Sequence, residues 1–162
     1  MIGALRIELG HGSAGEALQQ SLAANPKGLG AYLTLATWHK RRGEPDKAEQ
    51  VLNQTVAVIP EAIEAWQALA EIATDKGDPA VAMRYRQNLL AVAPADAGFI
   101  GMQPSRNLYR NSVYRAAALA LAEDAWNRRQ DRTLALKWLA QADQFGPPDA
   151  HGKALAESLG AK

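Results

Sequence analysis

Apolar residues along this chain recur at helical spacing, in blocks that themselves repeat. Tyr32, Leu35, Ala36 and His39 fall on one face of a helix, and so do Trp66, Leu69, Ala70 and Ala73. Ala48, Leu52 and Val56 mark the inward face of a second helix, matched downstream by Ala82, Leu89 and Leu90. Gly43 and Gly77 stand between the paired helices, where a permissive backbone ends the first of them. Asp78 followed by Pro79 reads as an N-cap with proline at the first helical position, so the second helix begins at once. A proline then closes each block, because it cannot continue the helix.

The interval is constant. Pro26, Pro60 and Pro94 stand 34 residues apart. Gly43 and Gly77 keep the same interval, as do Ala48 and Ala82, Leu35 and Leu69, and Tyr32 and Trp66. The turn itself recurs, as GEP at 43–45 and GDP at 77–79. Each block is a helix–turn–helix pair whose apolar faces demand a neighbour on either side.

These residues resemble the tetratricopeptide repeat, which has a period of 34 and the signature W-x2-L-G-x2-Y, A-x3-F, P. Trp66-x2-Leu69-Ala70 with Ala82 through Pro94 matches it, and so does Tyr32-x2-Leu35-Ala36 with Ala48-x3-Leu52 and Pro60. Two departures mark a divergent repeat: alanine replaces the signature glycine, and Arg86 stands where an aromatic is usual. The resemblance implies an all-α, right-handed superhelical solenoid of antiparallel helix pairs, about three and a half repeats long.

The expected organisation begins with a partial repeat at 1–28. There Ala14-x3-Leu18, Leu22 and Pro26 resemble a second helix, and a first helix is reduced to a stub at 2–9. The chain is expected to be a fragment of a longer protein or to open on a degenerate repeat. Full repeats follow at 29–62 and 63–96, an insert at 97–115, a degenerate repeat at 116–149 and a capping helix at 150–162. In the degenerate repeat Leu119, Ala122, Trp126, Ala135, Leu139, Ala142 and Pro147 fit the template, with Asp131 as a helix cap.

The insert contains GFIGMQPSRNLYRNSVYR at 98–115. Pro94 and Pro147 lie 53 residues apart, one repeat plus 19. Gly98, Gly101 and Pro104 predict a loop over 95–104. Ser105 would then cap a helix carrying Leu108, Tyr109, Ser112, Val113 and Ala116, which extends the next first helix. Phe99, Ile100 and Met102 form an apolar loop tip with Arg106, Arg110 and Arg115 behind it. Such a tip either plugs a gap or contacts a partner.

Composition narrows the function. The 162 residues are 48% hydrophobic, enough for a core. With 18 basic against 17 acidic residues the net charge is +1, which argues against nucleic acid as a partner, since phosphate binding needs a concentrated basic surplus. There is no cysteine, so disulfides, thiol nucleophiles and thiolate metal sites are excluded, and either cytoplasm or periplasm suits the chain. No apolar run approaches the roughly 20 residues that span a bilayer. MIGALRIELG lacks the basic n-region and apolar core of a signal peptide.

The resemblance implies peptide binding in a concave groove lined by the first helix of each pair. Counting back from each proline places Thr34, Thr37, Lys40 and Arg41 there, then Glu64, Gln67, Glu71 and Thr74, then Asp124, Asn127 and Arg128. Each also fits an ordinary solvated helix face. Glu64 and Glu71 in mid-groove disfavour a bound C-terminal carboxylate. His11, His39 and His151 lack metal-ligand spacing, and His39 is expected to replace the repeat's tyrosine between helices. Trp38, Trp66, Trp126 and Trp138 read as core. The basic runs at 39–43 and 127–132 suit the negative ends of helix dipoles. Asn53-Gln54-Thr55, a formal glycosylation acceptor, falls inside a helix.

No G-x-S-x-G, phosphate loop or paired-carboxylate motif is present. The expectation is a non-enzymatic scaffold or adaptor for a protein or peptide, without cofactor or metal. The alternatives are a self-association module, or an accessory domain of a larger envelope-polysaccharide or secretion enzyme or transporter.

Overall fold

The computed structural model describes residues 14–93 and 104–160, with side chains described from 108 onward in the second stretch. Every regular element among them is helical. The chain divides into two compact units, Met1–Lys76 and Gly77–Lys162.

The first unit holds α1 (Ala14–Ala24), α2 (Leu29–Arg41), α3 (Pro45–Val58) and α4 (Ile63–Asp75), each packed on the next. Its interior is built from the predicted faces: Tyr32, Leu35, Ala36 and His39 of α2, and Leu69, Ala70 and Ala73 of α4, are all buried. Ala14, Ala48 and Ala65 are fully covered, and small residues at such crossings let helix axes approach closely. Lys76 fastens the far end of α4 to α3, its Nζ 2.6 Å from both Asp46 Oδ1 and Glu49 Oε2.

Two expectations about the interior need correction. On α3 the buried residues are Ala48, Val51, Leu52 and Thr55, while Val56 is only half-buried. The inward face includes Thr55 because its hydroxyl donates to the Val51 carbonyl at 2.8 Å, so burial leaves no polar atom unpaired. The four tryptophans are half-buried rather than core. An indole N–H needs an acceptor, which holds the ring edge near the surface. Trp66 Nε1 accordingly donates to the Pro60 carbonyl at 2.8 Å, and Trp38 lies beneath the Arg42 guanidinium, 4.8 Å from the ring centre.

The second unit holds α5 (Pro79–Ala91), α6 (Pro104–Glu123), a π-helical turn (Asp124–Arg128), α7 (Arg132–Gln144) and α8 (Ala150–Ser158). The insert's second half is helical, as expected, and runs without a break into the alanine-rich stretch to give one 20-residue helix. That helix begins at Pro104 rather than behind a cap at Ser105, since proline is well suited to a first helical position. Of the loop expected over 95–104, residues 95–103 lie outside the described residues and Pro104 belongs to the helix instead. Arg115, expected behind a partner-contacting tip, is instead buried. Its Nη1 donates to the Gly146 carbonyl at 2.8 Å, and its Nη2 lies 3.4 Å from Asp149 Oδ1. This clasp seats α8, whose first turn is capped by Asp149 Oδ1 accepting from Gly152 N at 2.8 Å.

The inter-helix turns share one geometry. Gly43 and Gly77 adopt φ of +71° and +74°, and Gln130 takes the corresponding place in the third pair at +53°. Asp78 caps α5 through Val81 N at 3.0 Å, and Asp131 caps α7 through Leu134 N at 2.9 Å. Glu44, at the same place before α3, makes no such cap bond. Its carboxylate turns back to His39 Nδ1 at 2.7 Å, and that hydrogen bond, with a second from Lys47, lowers its pKa.

Candidate functional site

In the first unit α2, α3 and α4 enclose a groove of about 280 Å³. Helical spacing places Leu33, Ala36, Thr37 and Lys40 of α2 along one wall. Glu64, Ala68, Glu71 and Ile72 of α4 form the other wall, and Ala48 and Leu52 of α3 close the floor. Four of the expected groove residues, Thr37, Lys40, Glu64 and Glu71, are thus brought together.

The remaining expected residues of this unit stand beside the groove. Thr34 and Thr74 donate their hydroxyls to the carbonyls of Gly30 and Ala70, at 2.6 and 2.8 Å. Thr37 does the same to Leu33 at 2.8 Å. Gln67 Nε2 donates to Glu71 Oε1 at 3.1 Å and so orients that carboxylate. Arg41 is exposed. Sequence reasoning missed Asp75, whose Oδ2 lies 3.7 Å from Lys40 Nζ. Its place one helical turn beyond Glu71 was the available signal.

The electrostatics of the groove are uneven. Asp46 and Glu49 share Lys76, Glu44 meets Arg42 and Lys47, and Asp75 meets Lys40. Among the described residues, Glu64 and Glu71 form no ion pair.

The second unit carries a cleft of about 320 Å³ lined by Met83 and Arg86 of α5, Ala120 and Glu123 of α6, and Asp124, Asn127 and Arg128 of the π turn. The three residues expected here from the degenerate repeat are therefore adjacent. Asp124, however, is a buried counterion rather than a solvated one. Its Oδ1 lies 3.1 Å from Arg128 Nε and its Oδ2 2.7 Å from Arg129 Nε. The widened turn makes this arrangement possible, with Arg129 N bonded to the Asp124 carbonyl and Asp131 N to that of Ala125.

A larger recess of about 540 Å³ in the first unit escaped the sequence reading. Gln19, Lys47, Gln50 and Gln54 line it together with Tyr32 and His39. Helical periodicity sorts apolar from polar positions and carries no signal for three amides converging from α1 and α3.

The remaining candidates are scattered. Phe99, Ile100 and Met102 lie outside the described residues. Arg106 falls within α6, its side chain outside them, and Arg110 is half-buried on the same helix. Leu108 and Tyr109 are exposed there, at 53% and 49%. Among the described residues no group of three histidines or carboxylates could hold a metal, and no helix is long and apolar enough to cross a membrane.

The tetratricopeptide repeat family model matches residues 11–72. Among solved structures, a crystal structure of MamA is similar to the chain at 19% identity and a TM-score of 0.43, covering 82% of this chain and 86% of that one. No curated protein matches.

Proposed function

Taking residues 11–72 as tetratricopeptide repeat sequence, we propose that the chain is a non-enzymatic protein-interaction module that receives a peptide segment in the groove between α2 and α4. Protein interaction is the general role of such repeats. One observation carries the finer reading: the first helices of two consecutive repeats converge on a single recess with an apolar floor and a polar rim, Thr37 and Lys40 facing Glu64 and Glu71. Apolar floors with a few placed polar groups are the usual form of ligand recesses.

Filling the recess tests this. Ala68 is half-buried on the α4 wall, so Ala68→Trp would occupy the groove without unseating the covered core. Peptides selected from a random library on the native chain are expected to lose binding to this variant while its helicity stays unchanged. Equal binding to both chains would overturn the groove assignment.

Self-association is the second reading, favoured by the exposed Leu108 and Tyr109 on α6. It requires a mass by light scattering that rises with concentration.

A further inference from the structure

We infer that the groove of the first unit takes a cationic segment, with two arginine or lysine side chains seated on Glu64 and Glu71 and two small or proline residues between them. This rests on the groove being a peptide site, and it adds the charge and spacing of the occupant.

Three observations lead there. The apolar lining of walls and floor together is Leu33, Ala36, Ala48, Leu52, Ala68 and Ile72, a surface that suits uncharged residues between the two cations. The two carboxylates on the rim are the uncompensated ones, while the neighbouring acids on α3 and at the end of α4 meet lysines. The single cation on the rim, Lys40, sits 3.7 Å from Asp75 and is thus engaged from within. An incoming cation therefore meets two open carboxylates beside low-dielectric walls, where attraction is stronger than in open water. An incoming carboxylate meets repulsion.

The spacing follows from helix geometry. Glu64 and Glu71 are two turns apart on α4, about 10 Å along its axis at ~1.5 Å per residue. An extended polyproline-type segment returns to the same side every third residue, about 9 Å on. The matching pattern is therefore a basic residue, two small or proline residues, and a second basic residue. Gln67, donating to Glu71 Oε1, fixes one carboxylate before the partner arrives, so less freedom is lost on binding.

Calorimetric titration of the whole chain with blocked synthetic peptides tests the proposal. The probes are acetylated, amidated Gly-Arg-Pro-Ala-Arg-Gly and its counterparts with glutamine or glutamate in place of arginine. The arginine peptide is expected to bind, to weaken at high salt, and to weaken about tenfold or more on Glu64→Gln with Glu71→Gln. The glutamate peptide is expected not to bind. Absence of binding by the arginine peptide, or binding indifferent to the two glutamines, overturns the proposal. Ala68→Trp separates the two levels. If library-selected peptides lose binding to that variant yet ignore the glutamine pair, the groove stands and its cationic occupant does not. If the arginine peptide still binds the tryptophan variant, the groove assignment itself fails.

Discussion

Gln130 occupies a backbone conformation that two other turns of this chain give to glycine. Its φ of +53° is one that an ordinary L-residue adopts at a cost of roughly 1–2 kcal/mol. Its side chain offsets this by donating to the carbonyls of Trp126 and Asn127, at 3.0 and 3.1 Å, at the end of the π turn. Gly43, at φ +71°, has no such device. Gly43→Ala should therefore lower stability by about 1 kcal/mol. Gln130→Gly should stay within about 0.5 kcal/mol of the native chain, while Gln130→Ala, losing the two bonds and keeping the strain, should cost about 1 kcal/mol. Urea titrations of the three variants check the order, and a Gln130→Ala variant as stable as the native chain would remove the compensation argued here. The turn was legible in sequence, since Gln130 precedes Asp131 as Gly77 precedes Asp78. The side-chain bonds were not, because they depend on the π turn, which periodicity cannot reveal. The same limit explains Thr55. A pattern rule sends threonine outward, and only the Val51 carbonyl one turn back makes its burial possible.

At the scale of elements, the least expected contact is the one that seats α8. A capping helix at 150–162 was expected from the repeat pattern, but its fastening through Asp149 by Arg115, 34 residues earlier, was not. Within the insert that arginine was one of three cations expected behind the loop tip. Its guanidinium is buried among Gly146, Asp143 and Asp149, and a Cβ on Gly152 would come within 2.6 Å of its Nη2. Arg115→Ala should cost about 1–2 kcal/mol, since it removes a buried side chain and the donor to the Gly146 carbonyl, while Asp149 keeps its bond from Gly152 N. Amide exchange should accelerate over 150–158 well before it does in α5. Uniform acceleration across the unit would contradict a local clasp.

Acidity should have a related effect. The Gly152 N–H and then Arg115 hold the Asp149 carboxyl below its ordinary pKa. A carboxyl depressed in the folded state stabilises fully above its unfolded value, about 3.9, and ceases to as pH falls below that through the folded value. The protection of α8 amides, relative to their intrinsic exchange rate at each pH, should thus be flat from neutrality to about pH 5 and fall below pH 4. Lys76, whose pKa is raised by Asp46 and then Glu49, behaves in the opposite sense. Its contribution is complete below about pH 10.4 and fades above it.

Across the whole molecule, the architecture was the most legible layer and the candidate site was partly so. Five positions recurring at one interval, with the turn between them, specify helix pairs almost without further information, because each apolar face has a single use. Counting from the prolines also brought Thr37, Lys40, Glu64 and Glu71 to one recess. It could not foresee that Asp75 would engage Lys40, or that Asp124 would be consumed internally by Arg128 and Arg129. Those are pairings across a turn or between helices, and they decide which charges stay open to a partner. The electrostatic character of the groove is thus set by which pairs form, more than by which residues line it.

The long helix α6 has a mechanical consequence. Two helix pairs here repeat at 34 residues, whereas the segment between Pro94 and Pro147 is 53 residues long. Drawn out at about 3.5 Å per residue, the first kind of segment yields ~120 Å of chain and the second ~185 Å. Held by its two ends in an optical trap, the chain should lengthen in unequal steps, the longest belonging to the segment that contains α6.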